Sequence, residues 1–191
     1  MAGPAVGLWL FEQRSLEEIR ASTLPWLETF CDPVEAEADG GVAFRVQEPK
    51  ALGLHPFSTA GAGMFFLSED GFIPAGDEDY SAFSPAPAQG LILAAGVSGQ
   101  VKHTLLGHLA LAFARQLNSM IDFDGILGYA SGDRRREVTD LDRARAVVAS
   151  LPGILREVSY DTGGGDRWIR HVGDQEFLTA WLHHPDFHLI K

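Results

Sequence analysis

The sequence predicts an α+β (mixed α/β) protein with a single sheet, a central buried helix and further helices packed mostly on one face of that sheet. Three observations support this fold class. Segments with strand-like and helix-like apolar spacing alternate along all 191 residues. Residues 98–127 have the pattern of a helix that is apolar on more than one side, followed by a strand. Residues 91–97 form a nearly continuous apolar run, which is typical of a strand buried on both faces.

The central helix is predicted to begin after Ser98, whose hydroxyl can cap the first turn. It is predicted to end at Asn118, because asparagine tolerates the left-handed conformation found at helix ends. Its inward positions repeat at helical spacing and are Val101, Leu105, Leu109, Ala112 and Phe113. A strand is expected at residues 120–126, directly after this helix.

The other elements follow from capping and turn signals. Strands are predicted at residues 6–11, 42–47, 64–67 and 187–190, with a hairpin formed by residues 155–160 and 167–172. Three further helices are expected after the capping residues Ser15, Thr139 and Asp174. The first of these helices should be kinked or divided at Pro25 and extend to Cys31, followed by an acidic connection over residues 32–41. Residues 74–89 are acidic, contain prolines and predict a long exposed loop, and such loops often carry function.

Length and composition limit the class of protein. We expect one domain over residues 1–191, because 46% of the residues are hydrophobic and this length fits a single core. No apolar run reaches the roughly 18 residues of a membrane span, so no membrane association is expected. The N-terminal segment lacks the basic region of a signal peptide. Cys31 is the only cysteine, so an intramolecular disulfide is excluded, and a cytoplasmic protein is predicted.

The net charge of −11 is concentrated in the first half of the chain. Residues 1–95 carry 14 acidic and 4 basic residues, whereas residues 96–191 carry 12 acidic and 11 basic residues. An acidic protein is repelled by DNA and RNA, so no nucleic-acid binding is expected. Acidic charge attracts basic proteins, and the alternative is that it only maintains solubility.

Two acidic segments are the candidate partner-binding residues. In the long loop, the carboxylates would meet lysine or arginine side chains of a basic protein partner, and an aromatic residue would supply a desolvated anchor. These loop residues are Asp77, Glu78, Asp79, Tyr80 and Phe83. The second segment contributes Glu35, Glu37 and Asp39.

An alternative ligand site is Asp122, Asp124, His108 and Arg134. Two carboxylates at alternate positions could perform acid–base chemistry or hold a hard cation, and an arginine could grip a phosphate. The simpler interpretation is that one aspartate caps a turn while the other pairs with an arginine.

No cofactor or metal is predicted. The glycine-rich segments at residues 61–63 and 163–165 are not followed by a helix, so neither forms a phosphate-binding loop. The C-terminal histidines His183, His184 and His188 are interpreted as an ordinary polar edge, because Pro185 interrupts the helix that would align them.

Two segments carry a resemblance to known proteins. One is LLGHLALA at residues 105–112, running to IDFDG at residues 121–125, and the other is FLTAWLHHPDF at residues 177–187. They resemble segments of small bacterial proteins, some of which are similar to immunity proteins of polymorphic toxin systems. The resemblance covers roughly a quarter of the chain and involves residues that mainly form the fold. It implies a cytoplasmic protein that blocks a toxin by occlusion, and it transfers no catalytic residue.

The leading hypothesis is therefore a non-enzymatic binding protein, specifically an immunity protein that masks a basic surface or the active site of a cognate toxin. The alternative is an enzyme or a small-ligand-binding protein with a site assembled from distant residues. A third hypothesis is a structural subunit that forms a homodimer through its C-terminal helix and an edge strand.

Overall fold

The computed structural model describes residues 3–127, 138–161 and 167–189. The strands within these ranges are β1 (Ala5–Leu10), β2 (Cys31–Ala36), β3 (Val42–Val46), β4 (Phe65–Asp70), β5 (Gln89–Ala95), β6 (Met120–Asp122), β7 (Leu155–Asp161) and β8 (Arg167–Gly173). The helices are α1 (Leu16–Leu27), α2 (Gln100–Leu117), α3 (Val138–Ala149) and α4 (Gln175–Leu182), with a short 3-10 helix at Pro49–Leu52.

All eight described strands join one antiparallel sheet in the order β2-β3-β4-β5-β1-β6-β8-β7. Helix α2 packs against the central strands β1, β5 and β6, and α1 and α4 pack against α2. This arrangement confirms the predicted α+β fold with a buried central helix. No helix within the described ranges is long and apolar enough to cross a membrane.

The main core lies between the sheet and the helices. Its large, fully buried side chains include Leu8, Phe44, Phe65, Phe113 and Trp181. The ends of α2 differ in how well they were predicted. Asn118 ends the helix with φ 53°, as predicted, whereas the residue that precedes the first turn is Gly99 and not Ser98. Gly99 has φ 134°, a conformation that a residue with a side chain rarely adopts.

Several local predictions were wrong. Helix α1 is continuous through Pro25, although proline lacks the N–H that would bond to the carbonyl four residues back, and the helix ends two residues later at Leu27. Cys31 begins the edge strand β2, so the predicted acidic connection is strand up to Ala36. Thr139 lies inside α3 instead of capping it. Residues 187–189 form no strand; the carbonyl of His188 accepts a hydrogen bond from the Trp181 indole N–H.

The second face of the sheet is partly covered by the β4–β5 connection. We call residues 71–88 the covering loop. A small core forms beneath it from Trp9, Ile73, Val158 and Val172. Two loop aromatics contact Trp9 edge-on, with ring centroids 5.4 Å away for Tyr80 and 5.6 Å away for Phe83. The predicted long loop is therefore packed against the sheet over part of its length.

Candidate functional site

Arg170 is the centre of a charged cluster beneath the covering loop. Its Nη1 donates to Asp122 Oδ2 at 2.8 Å, and its Nη2 lies 3.0 Å from Glu78 Oε1. The guanidinium also lies over the ring of Tyr160, 4.4 Å from the ring centroid, which is a favourable cation–π geometry. The side chains of Glu78 and Asp122 are only 3% and 4% exposed. The cluster therefore joins the loop to the sheet through desolvated ion pairs.

Backbone pairing determines where Asp122 points. It is the last residue of β6 and lies opposite Gly7 on one side and Val172 on the other. Successive residues of a strand point to opposite faces, so Asp122 lies on the loop side while Ile121 enters the main core. A Cβ atom at Gly7 would lie 2.9 Å from the Cβ of Asp122, so glycine is what leaves room for this carboxylate.

Asp122 also fixes the turn that follows β6. Its Oδ1 accepts a hydrogen bond from the backbone N–H of Asp124 at 2.8 Å, and Asp124 has φ 55°. Asp122 therefore caps the turn and pairs with an arginine, two roles that the sequence interpretation had divided between Asp122 and Asp124.

The covering loop is attached to the edge of the sheet as well as to Arg170. Glu78 forms an isolated antiparallel bridge with Tyr160 of β7, and the N–H of Asp79 donates to the carbonyl of Ser159 at 3.0 Å. The Tyr80 hydroxyl accepts from the N–H of Ala75 and donates to the Glu78 carboxylate. These bonds hold residues 75–80 in one conformation.

The cluster has more negative than positive charge. Burial raises the pKa of Asp122 to about 6, although Arg170 acts in the opposite direction. Burial also raises the pKa of Glu78, against the effects of the Tyr80 hydrogen bond and of Arg170. One guanidinium faces two carboxylates, so one negative charge is not balanced within the cluster when both acids are ionised.

Unlike the buried side chain of Glu78, the neighbouring residues Asp77 and Asp79 are exposed to solvent. Hydrogen bonds from Ser81 hold the pKa of Asp79 below its usual range, so this carboxylate stays ionised at neutral pH. The covering loop therefore buries Glu78 and displays a carboxylate on each side of it.

The structure does not bring the two predicted acidic segments together. Glu35, Glu37 and Asp39 are exposed on and just after β2, at one edge of the sheet, while the loop acids lie beyond β7 at the other edge. With about 4.8 Å between neighbouring strands, the two edges are roughly 34 Å apart. A single flat contact with a small partner domain cannot use both.

The predicted aromatic anchors are also placed differently. Tyr80 and Phe83 are half-buried against Trp9. A different aromatic residue is exposed in this region: Trp168 of β8 is 61% exposed. It lies directly opposite Tyr160 in the β7–β8 register, next to the bridge to Glu78.

The alternative ligand site does not assemble. His108 lies on α2, on the helix side of the sheet, where its Nδ1 contacts the carbonyl of Leu52 at 3.0 Å. Asp122 points to the opposite side, and Asp124 is exposed. Arg134 lies outside the described residues. Within the described ranges, no group of three or more His, Cys, Asp or Glu residues is arranged to hold a metal ion.

Arg170 and Tyr160 are the members of the cluster that sequence analysis missed. The predicted hairpin contained a usable signal, because Arg170 and Val172 alternate along the strand and therefore share a face. If another element covers that face, as the covering loop does here, the arginine is desolvated and needs an acidic partner. The sequence does not say which of the 26 acidic residues provides it.

Comparisons with known proteins give a family but no activity. No curated protein and no solved structure matches the chain. The model of DUF6368, a family of unknown function, matches residues 2–191, and the chain belongs to this family.

Proposed function

We propose that this chain is a non-enzymatic binding protein that neutralises a basic protein partner, specifically an immunity protein that occludes a toxin in the cytoplasm. The observation that carries the proposal is the attachment of the covering loop. Glu78 is bound to Arg170 beneath the loop, and its neighbours Asp77 and Asp79 face solvent. The chain thus presents acidic groups from a segment that is already ordered.

Order in the free protein favours tight association. A loop that is held by ion pairs and backbone hydrogen bonds loses little conformational entropy when a partner binds. Exposed carboxylates accelerate the encounter with a basic surface and fix its orientation. The net charge of −11 acts in the same direction at longer range.

An exposed aromatic residue lies at the same edge of the sheet as these acids. Trp168 is opposite Tyr160, on the face towards which Glu78 points, whereas Asp77 and Asp79 alternate to the other face. A partner that grips this edge from both faces would use Trp168 in the role that the sequence had assigned to Tyr80 and Phe83. Tryptophan is strongly enriched among the residues that dominate binding free energies in protein interfaces.

The test begins with capture of a basic protein from the native lysate at low and high salt. The affinity of the captured partner is then measured by calorimetry. Reversal of the loop charges, Asp77→Lys with Asp79→Lys, should weaken binding at least tenfold and reduce its dependence on salt.

The matched control is Glu35→Lys with Glu37→Lys, which changes the net charge equally at the opposite edge of the sheet. This control should change the affinity by less than about twofold once long-range attraction is screened by salt. Equal losses for both pairs would mean that only net charge matters. An unchanged affinity and salt dependence after loop reversal would refute the proposal.

A further inference from the structure

The only buried histidine among the described residues is His171 of β8, with 1% of its surface exposed. Its ring points to the helix side of the sheet, because its neighbours Arg170 and Val172 point to the side of the covering loop. Glu157 lies opposite it in the β7–β8 register, and the turn after β6 (residues 123–127) packs beside it. This ring is therefore a buried titratable group outside the cluster around Arg170.

Three hydrogen bonds attach the turn after β6 to His171. The backbone carbonyl of His171 accepts from the N–H of Phe123 at 2.9 Å, and its N–H donates to the carbonyl of Gly125 at 2.9 Å. The third bond uses the side chain, since the N–H of Leu127 donates to Nδ1 at 3.0 Å. Leu127 is completely buried in the main core. Its N–H would lack any partner if this bond were lost and the turn did not move.

The bond from Leu127 fixes the protonation state of the ring. Nδ1 accepts a hydrogen bond, so the proton of the neutral imidazole is on Nε2, which lies 3.6 Å from Glu157 Oε1. A second proton can be added only at Nδ1, where it would point at the N–H of Leu127. Two donors cannot bond to each other, so protonation of the ring must break this bond.

The surrounding charges do not compensate a positive imidazole. Within the described ranges, the charged groups that face the ring are Glu157 of β7 and Arg145 of α3. Arg145 already binds both carboxylate oxygens of Glu157, at 2.6 Å and 2.9 Å. The acid of the turn, Asp124, lies close to Arg170 on the other side of the sheet. Burial lowers the pKa of His171, with Glu157 acting in the opposite direction and Arg145 in the same one.

We infer that His171 is a pH-sensitive latch of the turn after β6: protonation at Nδ1 releases the N–H of Leu127 and opens this turn while the rest of the sheet stays folded. In the opened turn the ring is exposed to water, where the pKa of a histidine is about 6.5. Acidification below that value therefore favours the open form, and the latch is closed at neutral pH and above. The latch lies on the helix side of the sheet and does not depend on the proposed function.

Amide hydrogen exchange of the full chain between about pH 7.5 and about pH 5 tests the latch. Rates are expressed as protection factors, which removes the direct effect of pH on exchange. The amides bonded in the latch, those of Phe123, Leu127 and His171, should lose protection about tenfold on acidification. Low concentrations of urea at about pH 5 should not accelerate their exchange further but should accelerate that of β5, because a local opening exposes little surface.

Two matched variants show whether the ring of His171 is responsible. In His171→Asn the side-chain oxygen takes the position of Nδ1 and cannot be protonated, so the protection of Leu127 should not fall on acidification. His108→Asn replaces a histidine whose Nδ1 donates to the carbonyl of Leu52, a bond that a protonated ring retains, and the response of Leu127 should stay that of the wild type. Asp122 titrates in the same range, and the comparison with His171→Asn removes its effect. Thermal unfolding verifies that both variants fold.

The wild-type chain provides a test that needs no substitution. The ¹⁵N shifts of the His171 ring should show the tautomer with the proton on Nε2 at about pH 7.5, and a proton on Nδ1 would overturn the inference. The inference is also overturned if the protection of Leu127 falls equally in His171→Asn. The same conclusion follows if low urea accelerates exchange of the latch amides as strongly as that of β5, since acid would then act on the whole fold.

Discussion

Arg170 on β8 and Glu78 in the covering loop form an ion pair at 3.0 Å, and the Glu78 side chain is almost completely buried. The two residues come from distant parts of the chain and meet because the loop is attached to Tyr160 of β7, the strand that lies beside β8. This ion pair therefore attaches the candidate binding loop to the second face of the sheet.

Replacing Arg170 should destabilise the protein strongly. Arg170→Met leaves Asp122 and Glu78 buried without a cation, and removal of one partner from a buried ion pair costs about 3–5 kcal/mol. Urea unfolding at pH 7.5, which is above the pKa of about 6 for Asp122, measures the loss. Arg156→Met, at an exposed position of β7, is the control and should change the free energy of unfolding by less than about 0.5 kcal/mol. Similar losses in the free energy of unfolding for the two variants would show that the ion pairs of Arg170 do not stabilise the protein.

The stability should fall as the pH rises through the range in which Asp122 ionises. Burial raises its pKa from 3.8 to about 6, so between these values the folded protein keeps a proton that the unfolded chain releases. Ionisation of Asp122 then favours unfolding. Each unit by which its pKa is raised in the folded protein lowers the free energy of unfolding by up to about 1.4 kcal/mol. Relative to Asp122→Asn, which cannot ionise, the wild type should lose stability from about pH 4 to 6 and stay constant above 7. A difference between the two proteins that is constant with pH would exclude this effect.

The fold was predictable from local patterns. The Ser15 capping box, the Asp174 cap and the left-handed Asn118 are all present, because each depends on hydrogen bonds within a few residues. The edge strand β2 was missed, because a strand with Asp32, Pro33 and Glu35 lacks the alternating apolar residues that identify a strand with one buried face.

The candidate site was only partly predictable. Asp122 and Glu78 stood out as acids in suggestive segments, but one was assigned to a ligand site and the other to a partner surface. Their shared partner is determined by strand order, which no local pattern encodes. The exposure of Trp168 was not predictable from a local pattern either, because an apolar residue in a strand is buried only if another element covers its face.

Removal of the Tyr80 hydroxyl should loosen the covering loop without unfolding the protein. Tyr80→Phe deletes the bonds to Ala75 and Glu78 but keeps the ring against Trp9. The expected loss of stability is about 1–2 kcal/mol, with faster amide hydrogen exchange at residues 75–80. Phe83→Leu changes a neighbouring ring without touching these bonds and serves as the control. Unchanged exchange in Tyr80→Phe would mean that the loop is held by other contacts.

The acids on β2 should protect the sheet edge instead of binding the partner. Edge strands expose unpaired backbone groups, and charges on them prevent pairing with another molecule. Glu35→Thr with Glu37→Thr should therefore increase aggregation, measured by light scattering on warming, while the free energy of unfolding changes by less than about 1 kcal/mol. Asp77→Asn with Asp79→Asn removes the same charge at the β7 edge, where the backbone of the covering loop already bonds to Ser159, and should not increase aggregation. Equal aggregation of both pairs would assign the effect to net charge and not to edge protection.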